Sequence, residues 1–166
     1  YYDNKTAVGY FCGGTATACD GAFAGAGGSI PLSVLSTGAV ATSDSGGIPH
    51  ICTRITTDAS TGAAIAVKSL NGALKSTSTP ADVIASSSTT LTAGTAGYGL
   101  CVGSAGGDSG KTDPAGGPTS AAPAPATPFN GTCTTTNHAI GGLTASFQNN
   151  WTTVGPSLNA FARIYV

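Results

Sequence analysis

The sequence predicts an all-β fold: a single β-sandwich, immunoglobulin-like or jelly-roll, carrying a Pro/Gly-rich loop. Three observations predict it. Good helix formers are scarce, with no Met and no Glu in the chain. Short apolar runs are parted by Gly, Ser, Asn and Asp, the spacing of a sandwich or barrel and not of a 3.6-residue helical stripe. Hydrophobic residues make up 40% of the chain and charged residues 8%, which is enough apolar surface for a core and too little charge for a disordered segment. The 166 residues suit one domain over 1–166.

The strands follow in order. Residues 1–11 form an extended N-terminal segment flanked by aromatics, with a strand over Thr6–Cys12. Ile30–Leu35 reads as a short strand, with Pro31 near its start, where a missing N–H does least harm. Ile51–Thr56 and Ala63–Lys68 both alternate. The stretch between them, Thr57-Asp58-Ala59-Ser60-Thr61-Gly62, has turn chemistry, so the pair reads as a hairpin. Val83–Ala85 and Thr89–Leu91 are weak strands and Tyr98–Val102 a strong one. Residues 103–128 change composition: a Gly-rich start leads into Pro114, Pro118, Pro123, Pro125 and Pro128, a semi-extended loop laid over one domain. Ala139–Gln148 and Leu158–Val166 close the chain. In the last run Phe161, Arg163 and Tyr165 face one way and Ala162, Ile164 and Val166 the other.

The cysteines, the charge and the N-terminus point outside the cell. Five scattered cysteines without a zinc-type C-x-x-C pair read as disulfides. Cys12 and Cys19 bracket a short loop, Cys52 and Cys101 could staple two strands, and Cys133 is left unpaired or bonds another subunit. The chain begins Tyr1-Tyr2-Asp3, which reads as a cleaved or trimmed N-terminus, and no run of about 18 apolar residues marks a membrane span. Net charge is −1, so no basic patch points to nucleic acid. A surface of Ser, Thr, Asn and Gly carries little repulsion between copies and permits close self-association.

Sites of chemistry are weak. Gly107-Asp108-Ser109-Gly110 is similar to the nucleophile loop of chymotrypsin-like proteases. Lys111 stands where that pattern wants Gly, and Ile51 separates His50 from Cys52. A secreted serine hydrolase therefore stays a remote alternative, and the chain reads as no enzyme. His50 and His138 stand alone, no D-x-D-x-D-G loop occurs, and no cofactor is implied. Asn4, Asn130 and Asn150 open N-x-[ST] sequons and are glycosylation candidates. Trp151, beside Asn149 and Asn150, is either a core plug, the preferred reading, or a sugar-stacking platform.

Two stretches, Ser33–Leu70 and Ala93–Val102 (AGTAGYGLCV), resemble a loose group of secreted bacterial surface β-sandwich proteins, and Ile30–Ser69 is similar to the pilin-type sandwiches of chaperone–usher fimbriae. The resemblance covers about half of the chain. Such proteins end in further alternating strands after a segment like Asn159–Val166, whereas this sequence stops at Val166. A sandwich left short exposes strand edges that recruit a strand from another copy. The expectation is a secreted or cell-surface subunit of a filament, pilus or surface layer whose partners are other copies of itself. Tyr1, Tyr2, Val8, Tyr10 and Phe11 would be donor-strand contacts, and Phe161, Ile164 and Val166 would sit at the receiving or terminal edge. The second class is an adhesin module binding host or cell-surface glycans, with Trp151 as the contact.

Overall fold

The computed structural model describes residues 8–12, 32, 35–43, 50–106, 121–131 and 138–166, without the side chains of 8–12, 50, 52 and 104–106. Eleven strands lie among them and no helix: β1 (Val8–Cys12), β2 (His50–Thr57), β3 (Ala64–Val67), β4 (Ala73–Lys75), β5 (Val83–Ala85), β6 (Thr89–Thr90), β7 (Cys101–Gly106), β8 (Ala124–Pro125), β9 (Ala139–Ile140), β10 (Gln148–Thr152) and β11 (Ser157–Tyr165). No helix among the described residues is long and apolar enough to cross a membrane.

The strands form several small antiparallel sheets. The largest has the order β1-β2-β11-β7, the next β3-β10-β8, and the pairs β4-β5 and β6-β9 stand beside them. β11 forms because Ala160, Ala162 and Ile164 alternate with Phe161, Arg163 and Tyr165. The first set is buried at 1% exposure or less and belongs to the core. Ile55 of β2, Leu100 just before β7, Val102 of β7, Trp151 of β10 and Phe129, which is in no strand, complete that core. It therefore draws on both the four-stranded and the three-stranded sheets.

Three expectations are corrected. First, β2 and β3 do not form a hairpin: β2 pairs with β1 and β11, whereas β3 pairs with β10. The Thr57–Gly62 turn is a corner from one sheet to the other. Ala63 and Thr153 exchange bonds there: the Thr153 N–H donates to the Ala63 carbonyl at 2.8 Å, and the Ala63 N–H to Thr153 Oγ1 at 3.0 Å. Second, residues 103–128 are not one loop. Cys101–Gly106 is β7, and β8 pairs Ala124 and Pro125 with Thr152 and Trp151. The Ala121 N–H donates to the Pro156 carbonyl at 2.7 Å, and Ser157 Oγ–H to the Ala121 carbonyl at 3.1 Å, which docks the returning chain. Third, the strand expected over Ile30–Leu35 is not seen where it can be checked: Leu32 and Leu35 are in no strand, and residues 30, 31, 33 and 34 lie outside those described.

Two bulges shape β11. The register slips between Ser157 and Ala160 against β2, where Asn159 takes a positive φ of 52°, a conformation Asn tolerates better than most residues. Against β7 the register slips between Arg163 and Ile164, leaving Gly103 as the extra residue. A Cβ on Gly103 would lie 1.6 Å from Cε2 of the Tyr165 ring, so the ring covers the glycine. Gly103→Val is expected to push that ring away at a cost of about 1–3 kcal/mol, read as a lower urea midpoint together with a changed tyrosine near-ultraviolet dichroism signal. An unchanged signal and midpoint would refute the contact.

Candidate functional site

The positions expected to govern assembly fall into three groups. Tyr1 and Tyr2 lie outside the described residues. Val8, Tyr10 and Phe11 are in β1, which pairs antiparallel with β2 of its own chain, Val8 opposite Arg54 and Cys12 opposite His50. Phe161 and Ile164 are not at an edge, which corrects that expectation. β11 runs between β2 and β7, so both of its backbone sides are taken along most of its length. Ile164 is in the core at 1% exposure. Val166 is half-buried, and its N–H donates to Ser43 Oγ at 3.0 Å while its carbonyl accepts from the Ser43 N–H at 3.1 Å.

The two edges of this sheet differ. Beside β7 the Val102 N–H donates to the Phe129 carbonyl at 3.0 Å, and Leu100 exchanges bonds with Gly141 at 3.0 and 2.7 Å. A Cβ on Gly99 would lie 2.6 Å from the Gly141 carbonyl oxygen, so the close approach there needs glycine. That flank is covered. β1 at the other edge pairs with β2 alone among the described strands.

Trp151 is fully buried, so it is no sugar platform; the core-plug reading describes it. Its Nε1–H donates to Thr53 Oγ1 at 2.7 Å, and the Thr53 hydroxyl donates to the Ala162 carbonyl at 3.3 Å. This relay ties β10 in one sheet to β2 and β11 in the other. Asn150 beside it occupies the β10 bulge and is also fully buried, with both side-chain amide atoms unpartnered among the described residues. A glycan on Asn150 does not fit this packing, which removes it as a glycosylation candidate. Asn130 is exposed, and Asn4 lies outside the described residues.

Register also decides one disulfide question. Cys52 stands opposite Arg163 on one side of β11, and Cys101 opposite Tyr165 on the other. Two strand spacings separate them by roughly 10 Å, whereas a disulfide needs Cα atoms within about 7 Å. A direct Cys52–Cys101 staple is therefore ruled out. Cys12 on β1 is one strand further away. Cys101 is disulfide-bonded, and its partner is outside the described side chains. Cys19, Cys133, Ser109 and the His50 side chain are also outside them.

A cavity of about 310 Å³ opens between segment 35–43, the β4–β5 pair, β9 and the ends of β7 and β11. Leu35, Val40, Ile84, Leu91 and Ile140 give it an apolar wall, and Tyr98, His138 and Tyr165 add polar edges. The Tyr98 hydroxyl is already paired with Ser69 Oγ at 2.9 Å. No carboxylate lines it among the described residues. Such a wall suits a compact, largely apolar group. Among the described residues no group of three His, Cys, Asp or Glu could hold a metal ion.

The face of the large sheet turned away from the core carries a feature that single-strand alternation does not reveal. Arg54 and Arg163 are the chain's only arginines. Arg54 stands opposite Phe161, and Arg163 follows two residues later on the same face, so the two are diagonal neighbours about 7–8 Å apart. Each lies on a strand whose alternation is readable, but only the β2–β11 register brings them together.

No family model matches the chain, and neither a curated protein nor a solved structure does. The assignment of function therefore rests on this geometry.

Proposed function

We propose that the protein is a structural subunit of an extracellular filament, pilus or surface layer, a β-sandwich whose copies join by exchanging an edge strand. The observation that carries this reading is the position of β1. Among the described strands it comes first in the chain, it lies at a sheet edge, and it pairs with β2 alone. Its connection to β2 spans residues 13–49, long enough for the β2 seat to be filled by its own β1 or by that of another copy. Exchange of an identical terminal element is a low-cost route to association, and head-to-tail exchange does not close, so it builds a fibre. The near-absence of charge favours close packing of copies. The sandwich reading is supported by a core shared between the four-stranded and three-stranded sheets.

The β1–β2 register supplies the experiment. Val8 faces Arg54 across the strand pair, within reach of an engineered disulfide. Val8→Cys and Arg54→Cys made in separate chains and mixed under oxidation are expected to give a covalent dimer joined at those two positions, identified by mass spectrometry. Both substitutions in one chain check that the register is right. A double variant that cross-links internally, with separate variants that never cross-link and a parent that stays monomeric at high concentration, would overturn strand exchange.

A further inference from the structure

We propose that Arg163 is an oxyanion receptor, and that the face it shares with Arg54 holds a carboxylate or a like oxyanion. The case rests on the guanidinium and is independent of β1 exchange. Arg163 uses one terminal nitrogen internally: Nη1–H donates to the Tyr165 hydroxyl at 3.2 Å. The other two nitrogens, Nε and Nη2, are buried and have no hydrogen-bond partner among the described residues. They form the edge of the guanidinium whose parallel N–H bonds receive both oxygens of one carboxylate.

The chemistry around the guanidinium narrows the ligand. A buried donor without a partner is costly, and a charged one more so, which makes an anion the group that completes the site. The Tyr165 ring packs over Gly103 while its hydroxyl accepts a hydrogen bond from Nη1–H, which fixes the plane of the guanidinium and leaves its fork pre-set. Arg54, diagonal to it on the same face, adds a second positive charge and so disfavours a cation or a neutral group there. The shared chemistry is an oxygen anion presenting two acceptors side by side. It comes from a free anion, or from an Asp of this chain or of a second copy; Asp supplies all seven acids of the sequence.

With two arginines in the chain, nitrogen–proton spectra of the intact protein contain two Nε–H signals, assigned by Arg163→Lys and Arg54→Lys. The probes are sodium acetate and sodium sulfate, against sodium chloride at equal ionic strength. A free-anion site is expected to show a saturable downfield shift of the Arg163 Nε–H with at least tenfold slower solvent exchange, absent with chloride. A signal already downfield and slow without added anion means that the protein supplies the carboxylate. Release on dilution then assigns it to a second copy, and persistence to the same chain. Arg163→Lys keeps the charge and loses the fork; it is expected to remain folded by circular dichroism and to lose the acetate and sulfate response. An Arg163 Nε–H that stays at the free-guanidinium position and exchanges rapidly under every condition would overturn the proposal.

Discussion

Trp151→Ala is expected to be the most destabilising single truncation in the described core, lowering stability by about 3–5 kcal/mol. Trp151 is the largest of the fully buried side chains, so its removal leaves a void between the two main sheets. It also removes one of the two hydrogen bonds of a buried hydroxyl. Thr53 Oγ1 now accepts the indole N–H at 2.7 Å and donates to the Ala162 carbonyl at 3.3 Å, and it is itself buried. Thr53→Val separates the two contributions. It keeps the volume, removes the hydroxyl and leaves the indole N–H unpaired in the core, at a cost of about 1–3 kcal/mol. Urea unfolding followed by tryptophan fluorescence serves for Thr53→Val, and circular dichroism for Trp151→Ala. If Trp151→Ala cost under about 1 kcal/mol, the chain's one Trp could not be the bolt between the sheets.

Gly62→Val is the second large effect, and it tests the corner between β2 and β3. Gly62 has φ of 78°, and a Cβ there would lie 1.9 Å from the Thr153 carbonyl oxygen and 2.5 Å from its carbon. The obstacle is backbone, which cannot rotate away as a side chain would. Strain from the left-handed conformation and from overpacking together come to about 3 kcal/mol or more. Gly72 is the built-in control: its φ is 64°, but nothing lies within 4 Å of an added Cβ. Gly72→Ala should therefore show the conformational cost alone, about 1 kcal/mol. Equal thermal shifts for Gly62→Ala and Gly72→Ala would mean that the Gly62–Thr153 approach is looser than described.

What could be read in advance, and what could not, divides along the range of the interactions. β2 and β11 announce themselves by alternation: Thr53 and Ile55 point inward while Arg54 does not, and Ala160, Ala162 and Ile164 alternate with Phe161, Arg163 and Tyr165. The β2–β3 hairpin failed because Thr57–Gly62 carries only turn chemistry. A turn residue states that the chain reverses and leaves open which strand comes to lie alongside. β10 went unrecognised beyond Gln148 because Asn149-Asn150-Trp151-Thr152 reads as polar. It is a strand nonetheless, since a bulge turns Asn150 inward beside the buried Trp151. Phe161 and Ile164 were expected at an edge because they fall near the end of the sequence, whereas position in the chain says nothing of position in a sheet.

The amino-acid sequence alone determined the all-β character, the scarcity of charge and the inward and outward faces of the longest strands, because these depend on residue type and a two-residue period. Only the tertiary structure decided which strands are neighbours. It put β11 between β2 and β7, which keeps Cys52 from Cys101, and it set Arg54 beside Arg163 and Trp151 against Thr53. The physical reason is that side-chain alternation is a local property of the backbone, whereas pairing and register are chosen by the burial of a shared core by segments as much as a hundred residues apart.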